Sequence, residues 1–337
     1  MSRPPPDPSK EHHHGNQPAA ARVRGVPGPY EREVGRTRPR PGRGPRHHRL
    51  LPAASTEPEG VSYAEVDAGG VPALWAIPED ADPNKALLHF HFGGSVTASM
   101  YSDRRAAGHI VKAAGVRSLV VDFRLAPEHP YPAQLDDAET AYRWLLSQGY
   151  EPKNIGSTGH SIGGTLAVLL PLRLLAKGEA TPGTIVSVSP WTDLTMQLPA
   201  VDTNESNDRM LSRATLERFR AAWLQDPAVD FADPQISLVN ADLTGLPPTT
   251  VHFGEYETLA DDGAALGRRL ADFKITSEIH PLPEGQHSFI LSAGRVPENR
   301  PGHPADGPVA APAPRCLNPA GERGSKDRRD SETPRCR

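Results

Sequence analysis

Ile155-Gly156-Ser157-Thr158-Gly159-His160-Ser161-Ile162-Gly163-Gly164-Thr165-Leu166-Ala167-Val168-Leu169-Leu170 is the stretch on which the reading of this chain turns. A short strand-like run at about 154–158 leads into Gly159-His160-Ser161-Ile162-Gly163, and an apolar helical run continues to about Ala176. A serine pushed out of a sharp strand-to-helix turn needs glycine on both sides, because side chains there would collide. The five-residue pattern alone is common and also fits a purely structural turn. Its context is less common: a strand precedes it, a helix starts at it, and Gly164 lets that helix pack close. Ser161 is therefore a candidate nucleophile, supported by Gly159 and Gly163.

Outward from this turn, strand and helix signals alternate. Upstream, 61–67 and 71–77 are apolar-rich runs separated by Ala68-Gly69-Gly70, which reads as a hairpin. A short buried-type strand at 86–91 ends in Phe92-Gly93-Gly94, helical spacing covers about 101–114, and 118–123 is a fully buried strand. A Pro-rich turn leads to a helix at about 135–147. Downstream, strands are expected at 184–188, 249–253 and 275–280, with a helix over 258–273. Residues 194–232 interrupt the alternation and hold a helix at about 213–224 behind the N-cap Ser212, as an insertion above the sheet would. The expected class is α/β, with a mostly parallel central sheet covered by helices on both faces. Chemistry on such a sheet belongs in loops beyond the carboxyl ends of its strands.

Those loops hold the partners a nucleophilic serine needs. His91-Phe92-Gly93-Gly94 follows a strand, and the N–H groups of Gly93, Gly94 and Ile162 suit an oxyanion hole. Alone, the glycine pair would read as a tight turn. His287, just past the last strand, is the expected base; His252 and His280 lie inside strands and read as packed side chains. His109 falls on a helix face and His129 in a turn. His89 and His91 stand two apart, a spacing that can hold a metal, but no third ligand is evident, so no metal is expected. Glu257 stands where a strand gives way to a helix and is the expected acid. Asp261 and Asp262 lie a turn inside that helix, where acidic side chains serve the helix dipole. The order serine, acid, histidine is that of α/β-hydrolases.

The run 122–133 (Asp-Phe-Arg-Leu-Ala-Pro-Glu-His-Pro-Tyr-Pro-Ala), His91 to Gly94, Gly159 to Gly164, Ser189-Pro190-Trp191-Thr192-Asp193 and Gln286-His287-Ser288-Phe289 together resemble the bacterial hormone-sensitive-lipase-like esterases. The resemblance runs from about Val61 to Glu298. It implies an eight-stranded α/β-hydrolase sheet, a partial helical cap, no cofactor, and hydrolysis of carboxylic esters with short to medium acyl groups. It gives Ser161 the role of nucleophile, Glu257 of acid, and His287 of base. Two departures stand near the site. Phe92 replaces the first of three usual glycines, which predicts an altered pocket wall. His160-Ser161-Ile162 stands where Asp-Ser-Ala is common.

Charge divides the chain of 337 residues into three: 1–55 carries +7, 56–300 carries −13 and 301–337 carries +2. The two ends also hold 18 of the 37 prolines, so they read as disordered flanks of one domain at about 56–300. They replace the cap helices and last helix that the resemblance implies. Natural tails and out-of-frame translation of GC-rich DNA both produce such composition. No apolar run approaches the ~20 residues of a membrane span, no secretory apolar stretch opens the chain, and an acidic domain disfavours nucleic acid. Cys316 and Cys336 both fall in the last flank, so no disulfide staples the domain and a cytoplasmic setting is expected. A small-molecule ester is the expected partner, and the last sheet edge is available for a homodimer. The competing class is a non-catalytic binder or damaged product on the same fold.

Overall fold

The computed structural model describes residues 55–295. The readings of the flanks, 1–54 and 296–337, lie outside these residues. An eight-stranded sheet runs through the molecule in the order β1-β2-β4-β3-β5-β6-β7-β8. The strands are β1 (Val61–Asp67), β2 (Pro72–Pro78), β3 (Asp82–Phe90), β4 (Val116–Val121), β5 (Ile155–His160), β6 (Thr184–Val188), β7 (Thr249–Gly254) and β8 (Ser277–Leu282). Six α-helices are described: α1 (Met100–Ala114), α2 (Ala133–Ser147), α3 (Ile162–Ala176), α4 (Ala200–Thr203), α5 (Arg213–Trp223) and α6 (Ala260–Asp272).

The β1–β2 hairpin is antiparallel, with Asp67 opposite Pro72. Its turn places Gly69 and Gly70 at φ +75° and +96°, and the Ala68 N–H donates to the Val71 carbonyl at 2.7 Å. Two successive positive-φ residues match the right-handed twist of the strands, which is why the paired glycines sit there. β2 pairs antiparallel with β4, and every later pairing is parallel. Parallel strands covered on both faces read as continuous apolar runs, and Leu119, Val120 and Val121 of β4 are all fully buried.

The main core joins the sheet to α2, α3 and α6 through Leu88, Phe90, Leu166, Leu170, Leu266 and Leu270, among others. Helix α3 is apolar nearly all round because it is buried nearly all round. On the opposite face Met100 and Ala107 of α1 pack against Leu74 and Val120. A second core stands above the carboxyl ends of the strands: Trp191, Met196, Val201, Leu216 and Trp223 surround Ile162. Residues 194–232 build most of it, with α5 capped by the Ser212 side chain, which accepts from the Thr215 N–H. The insertion is thus fastened directly over the start of α3.

Several boundaries differ from the sequence reading, β4 lying two residues earlier and α2 starting two residues earlier than expected. β3 begins at Asp82, with a bulge between Asp82 and Ala86, through residues too polar to announce a strand. β8 lies two residues further along than expected, and α6 starts only at Ala260 because residues before it form a loop. Nor do Asp261 and Asp262 simply serve the helix dipole. Asp261 accepts from the Ala200 N–H at 2.9 Å. Asp262 accepts from the N–H groups of Thr192 and Asp193 at 2.7 and 2.8 Å. The reading of His280 as packed also fails. It stacks on His252 with ring centroids 4.7 Å apart, but β8 is an edge strand and leaves the His280 side chain exposed.

Asp262 is fully buried, and burial pushes its carboxyl up to about 8; the Asp193 carboxylate adds to this while the two backbone N–H groups oppose it. An unfolded aspartate titrates near ~3.9. The folded chain therefore holds a proton that the unfolded chain has released between those values, and the stability this group contributes falls as pH rises from about 4 to about 8. We predict that the melting temperature of the wild type falls relative to that of Asp262→Asn as pH rises across this window, while burial of His91, His160 and His252, which lowers their pKa, pushes both proteins the opposite way. Parallel melting curves of variant and wild type across pH would contradict this.

Candidate active site

Ser161 sits between β5 and α3 with φ +57° and ψ −130°, a backbone state that side-chain-bearing residues rarely adopt. The turn is held from several directions. The Ser161 N–H donates to the Val188 carbonyl at 2.9 Å, and the Thr165 N–H donates to the Ser161 carbonyl at 3.2 Å. A β-carbon on Gly163 would run into the carbonyl of Phe90, and one on Gly159 into the carbonyls of Gly163 and Phe90. Only glycine lets β3, β5 and α3 approach this closely.

His287 lies in the loop after β8 and Glu257 in the loop after β7. The Ser161 hydroxyl donates to His287 Nε2 at 2.9 Å, and His287 Nδ1–H donates to Glu257 Oε2 at 2.9 Å. The carboxylate fixes the ring tautomer, leaving Nε2 to accept the serine proton. All three side chains are buried: Ser161 is 8% exposed, His287 3% and Glu257 0%. Burial pushes the Glu257 carboxyl up, while hydrogen bonds from His287 and the Ser189 hydroxyl pull it back toward the ionised form. The Gly254 N–H adds a further donor to Glu257 Oε1 at 3.2 Å.

Gly93 and Gly94 form the loop after β3, at φ +107° and +61°. Thr97 crowds the first, and the Phe219 ring of α5 lies against the second, so neither position has room for a side chain. Ile162 opens α3, where a backbone N–H has no partner within the helix. His91 is buried below this loop, its Nδ1–H donating to the Phe92 carbonyl at 2.7 Å and its ring stacked on Phe123 at 4.0 Å. Phe92, which stands where glycine is usual, is itself buried. Its ring turns inward and packs on the fully buried His160, 5.1 Å between centroids. A cavity of ≈ 620 Å³ between α2, α3 and residues 234–244 is lined by none of these groups.

Several residues that hold this arrangement were not identified from sequence. Asn204 donates to the carbonyls of Glu255 and Glu257 at 2.9 and 3.0 Å. Asp208 accepts from the N–H and hydroxyl of Thr258, next to Glu257, at 2.8 and 3.1 Å. Gln286, next to His287, accepts from the Arg209 N–H and donates to the Asn207 carbonyl. One short turn of the insertion therefore clamps both the acid and the histidine loops. Ser189, at φ +46°, accepts from the Ser288 N–H at 3.1 Å and joins the loop after β6 to the same group. Its motif at 189–193 and the motif at 286–289 that holds Gln286 are the available signals; Asn204 and Asp208 carry none, because their partners lie 50 or more positions away.

The comparisons agree with this architecture. A family profile described as α/β hydrolase fold matches residues 87–291. An acetyl-hydrolase of Streptomyces hygroscopicus is 35% identical over 235 residues, covering 70% of this chain and 78% of the relative. An ethyl acetate hydrolase of Pseudomonas putida is 30% identical over 261 residues, covering 74% and 81%. Among solved structures, an esterase of the bacterial hormone-sensitive lipase family superimposes with TM-score 0.70 at 34% identity, covering 73% of this chain and 82% of that one. Sheet order, serine turn and extent of match lead to one conclusion: the chain belongs to the hormone-sensitive-lipase-like esterases of the α/β-hydrolase fold.

Proposed function

We propose that this protein is a serine carboxylesterase that hydrolyses esters with short to medium acyl groups through an acyl-enzyme on Ser161. The observation that carries the reading is the continuous chain from the Ser161 hydroxyl through His287 to Glu257, each link 2.9 Å. In the first step His287 Nε2 takes the serine proton as Oγ attacks the ester carbonyl. The tetrahedral oxyanion is held by the N–H groups of Gly93, Gly94 and Ile162. His287, now charged and stabilised by Glu257, gives its proton to the departing alcohol. Water then attacks the acyl-enzyme with His287 again as base, which releases the acid and restores the serine. The Phe219 ring, partly buried at the edge of the insertion's apolar core and lying against Gly94, offers an apolar contact suited to an acyl chain rather than a charged one.

A ligand binder on the same fold would gain nothing from a strained serine aligned with an imidazole and a buried carboxylate, so the catalytic reading is favoured. Among the described residues no helix is long and apolar enough to cross a membrane. A cytoplasmic setting follows from the cysteine placement, and pairing of two copies along the open edge of β8 is the homodimer this reading includes.

Two experiments test the assignment. Ser161→Ala should lower turnover of a short-chain chromogenic ester on the order of 10⁶-fold while the melting curve is unchanged; most of the wild-type rate in the variant would contradict the assignment. Glu257→Gln should lower kcat about 10⁴-fold because the ring loses its orienting anion. Asp261→Asn, whose side chain reaches the Ala200 N–H instead, should leave kcat within a few-fold. The opposite ranking would move the acid to Asp261.

A further inference from the structure

Behind Ser161 lies a group of buried ionisable side chains that the reaction above does not use. Asp103, in the first turn of α1, places Oδ1 2.8 Å from His160 Nε2 and Oδ2 2.7 Å from His89 Nε2. All three residues are 0% exposed. His160 ends β5 and immediately precedes Ser161; His89 lies near the end of β3, just before the loop of Gly93 and Gly94. The two strands are paired in parallel with His89 opposite Thr158, so His89 and His160 project from the same face of the sheet, toward α1.

The protonation pattern follows from the contacts. Each Nε2 faces a carboxylate oxygen and so carries the hydrogen. Neither Nδ1 has a partner among the described residues, and an unpaired buried lone pair is tolerated better than an unpaired buried N–H. Both rings therefore donate from Nε2, and Asp103 accepts from both. Burial would raise its carboxyl, but the two imidazoles outweigh burial and hold it well below the ordinary carboxylate range. Hydrogen bonds to a charged acceptor in a low-dielectric interior are short and directional.

We propose that Asp103 is a positioning residue for ester hydrolysis: by bridging His89 and His160 it locks the strand end that bears Ser161 to the strand end that bears Gly93 and Gly94. The proposal rests on the reading of Ser161 as nucleophile and of the glycine pair as oxyanion donors. What the bridge sets is the offset between attacking oxygen and N–H donors, and a displacement of ~1 Å in such geometry can cost about 10²-fold in rate. The same three side chains bring possible ligand atoms within 4.8 Å of one another, as a metal centre would. The bridge is the better reading, because an imidazole that binds metal ordinarily donates its other N–H to a partner, and neither Nδ1 here has one.

The test counts sites before it measures rate. Full-length wild type and Asp103→Asn are titrated with diethyl p-nitrophenyl phosphate, and kcat and KM for p-nitrophenyl acetate are then expressed per titrated serine. Expected is stoichiometric titration in both, with kcat per site about 10–10²-fold lower in Asp103→Asn and KM within about twofold. His160→Gln should fall by a similar factor, and the double variant should fall little further, since both changes break one bridge. Imidazole ¹⁵N spectra of the wild type should show two buried rings protonated at Nε2. A variant kcat per titrated site equal to wild type would overturn the proposal, because a structural role alone lowers the number of sites and not their turnover. So would a ring of either histidine that carries no proton at Nε2, a measurement that decides even if the variants do not fold. One tightly held zinc per chain in the purified wild type would replace the bridge with a metal centre. Failure of the wild type itself to titrate would instead overturn the reading of Ser161, and the proposal with it.

Discussion

At the turn from β5 to α3, the backbone of three elements passes too close for any β-carbon at Gly159 or Gly163, and Ser161 between them is held at φ +57°. This close approach is the constraint on which the remaining structure depends. It lifts the serine hydroxyl beyond the end of the sheet and starts α3 at Ile162, so a helix N-terminus faces the same space. It also buries the Ile162 side chain in the core of the insertion, so the polypeptide above the site is fastened to the turn itself. Such strain costs on the order of 1–3 kcal/mol at one residue and persists only where surrounding contacts over-determine it. Here the surrounding contacts are the apolar packing of α3 and the hydrogen bonds from Ser161 to Val188 and from Thr165 to Ser161.

The histidine and its acid arrive from loops of little intrinsic order, and polar contacts supply their placement. The loops after β6, β7 and β8 meet through Ser189, Glu257 and Ser288, and the turn at 204–209 binds the outer two with Asn204, Asp208 and Gln286. Because that turn belongs to the insertion, the segment packed over the start of α3 also fixes where His287 and Glu257 stand. A change in the turn at 204–209 therefore reaches the loops of Glu257 and His287 through direct hydrogen bonds. Asp262 extends the same logic below the site by anchoring the loop at 192–193 to α6.

How much of this could be read from sequence follows from the range of each interaction. The hairpin turn, the buried run of β4 and the serine turn are dictated by neighbouring residues, and glycine and apolar spacing announced them. Glu257, at a strand end, meets His287, whereas Asp261 meets the Ala200 N–H, and α6 begins later than its helical pattern suggests. The start of β3 was illegible because Pro83, Asn84 and Lys85 are exposed and carry no apolar signal. The contacts from Asp208, Gln286, Asp262 and Asp103 join positions far apart along the chain, and no local pattern encodes them. His160 and Phe92 looked like departures from a family motif; in the fold they are adjacent, packed on one another behind the serine.

The central claim is that one serine, made reactive by His287 and Glu257, carries the acyl group. It is tested most directly by mass-spectrometric peptide mapping of the full chain after reaction with a p-nitrophenyl phosphonate. A single adduct is expected, on Ser161 within the peptide that spans the β5–α3 turn. An adduct on another residue, or none under conditions where the ester is turned over, would contradict it.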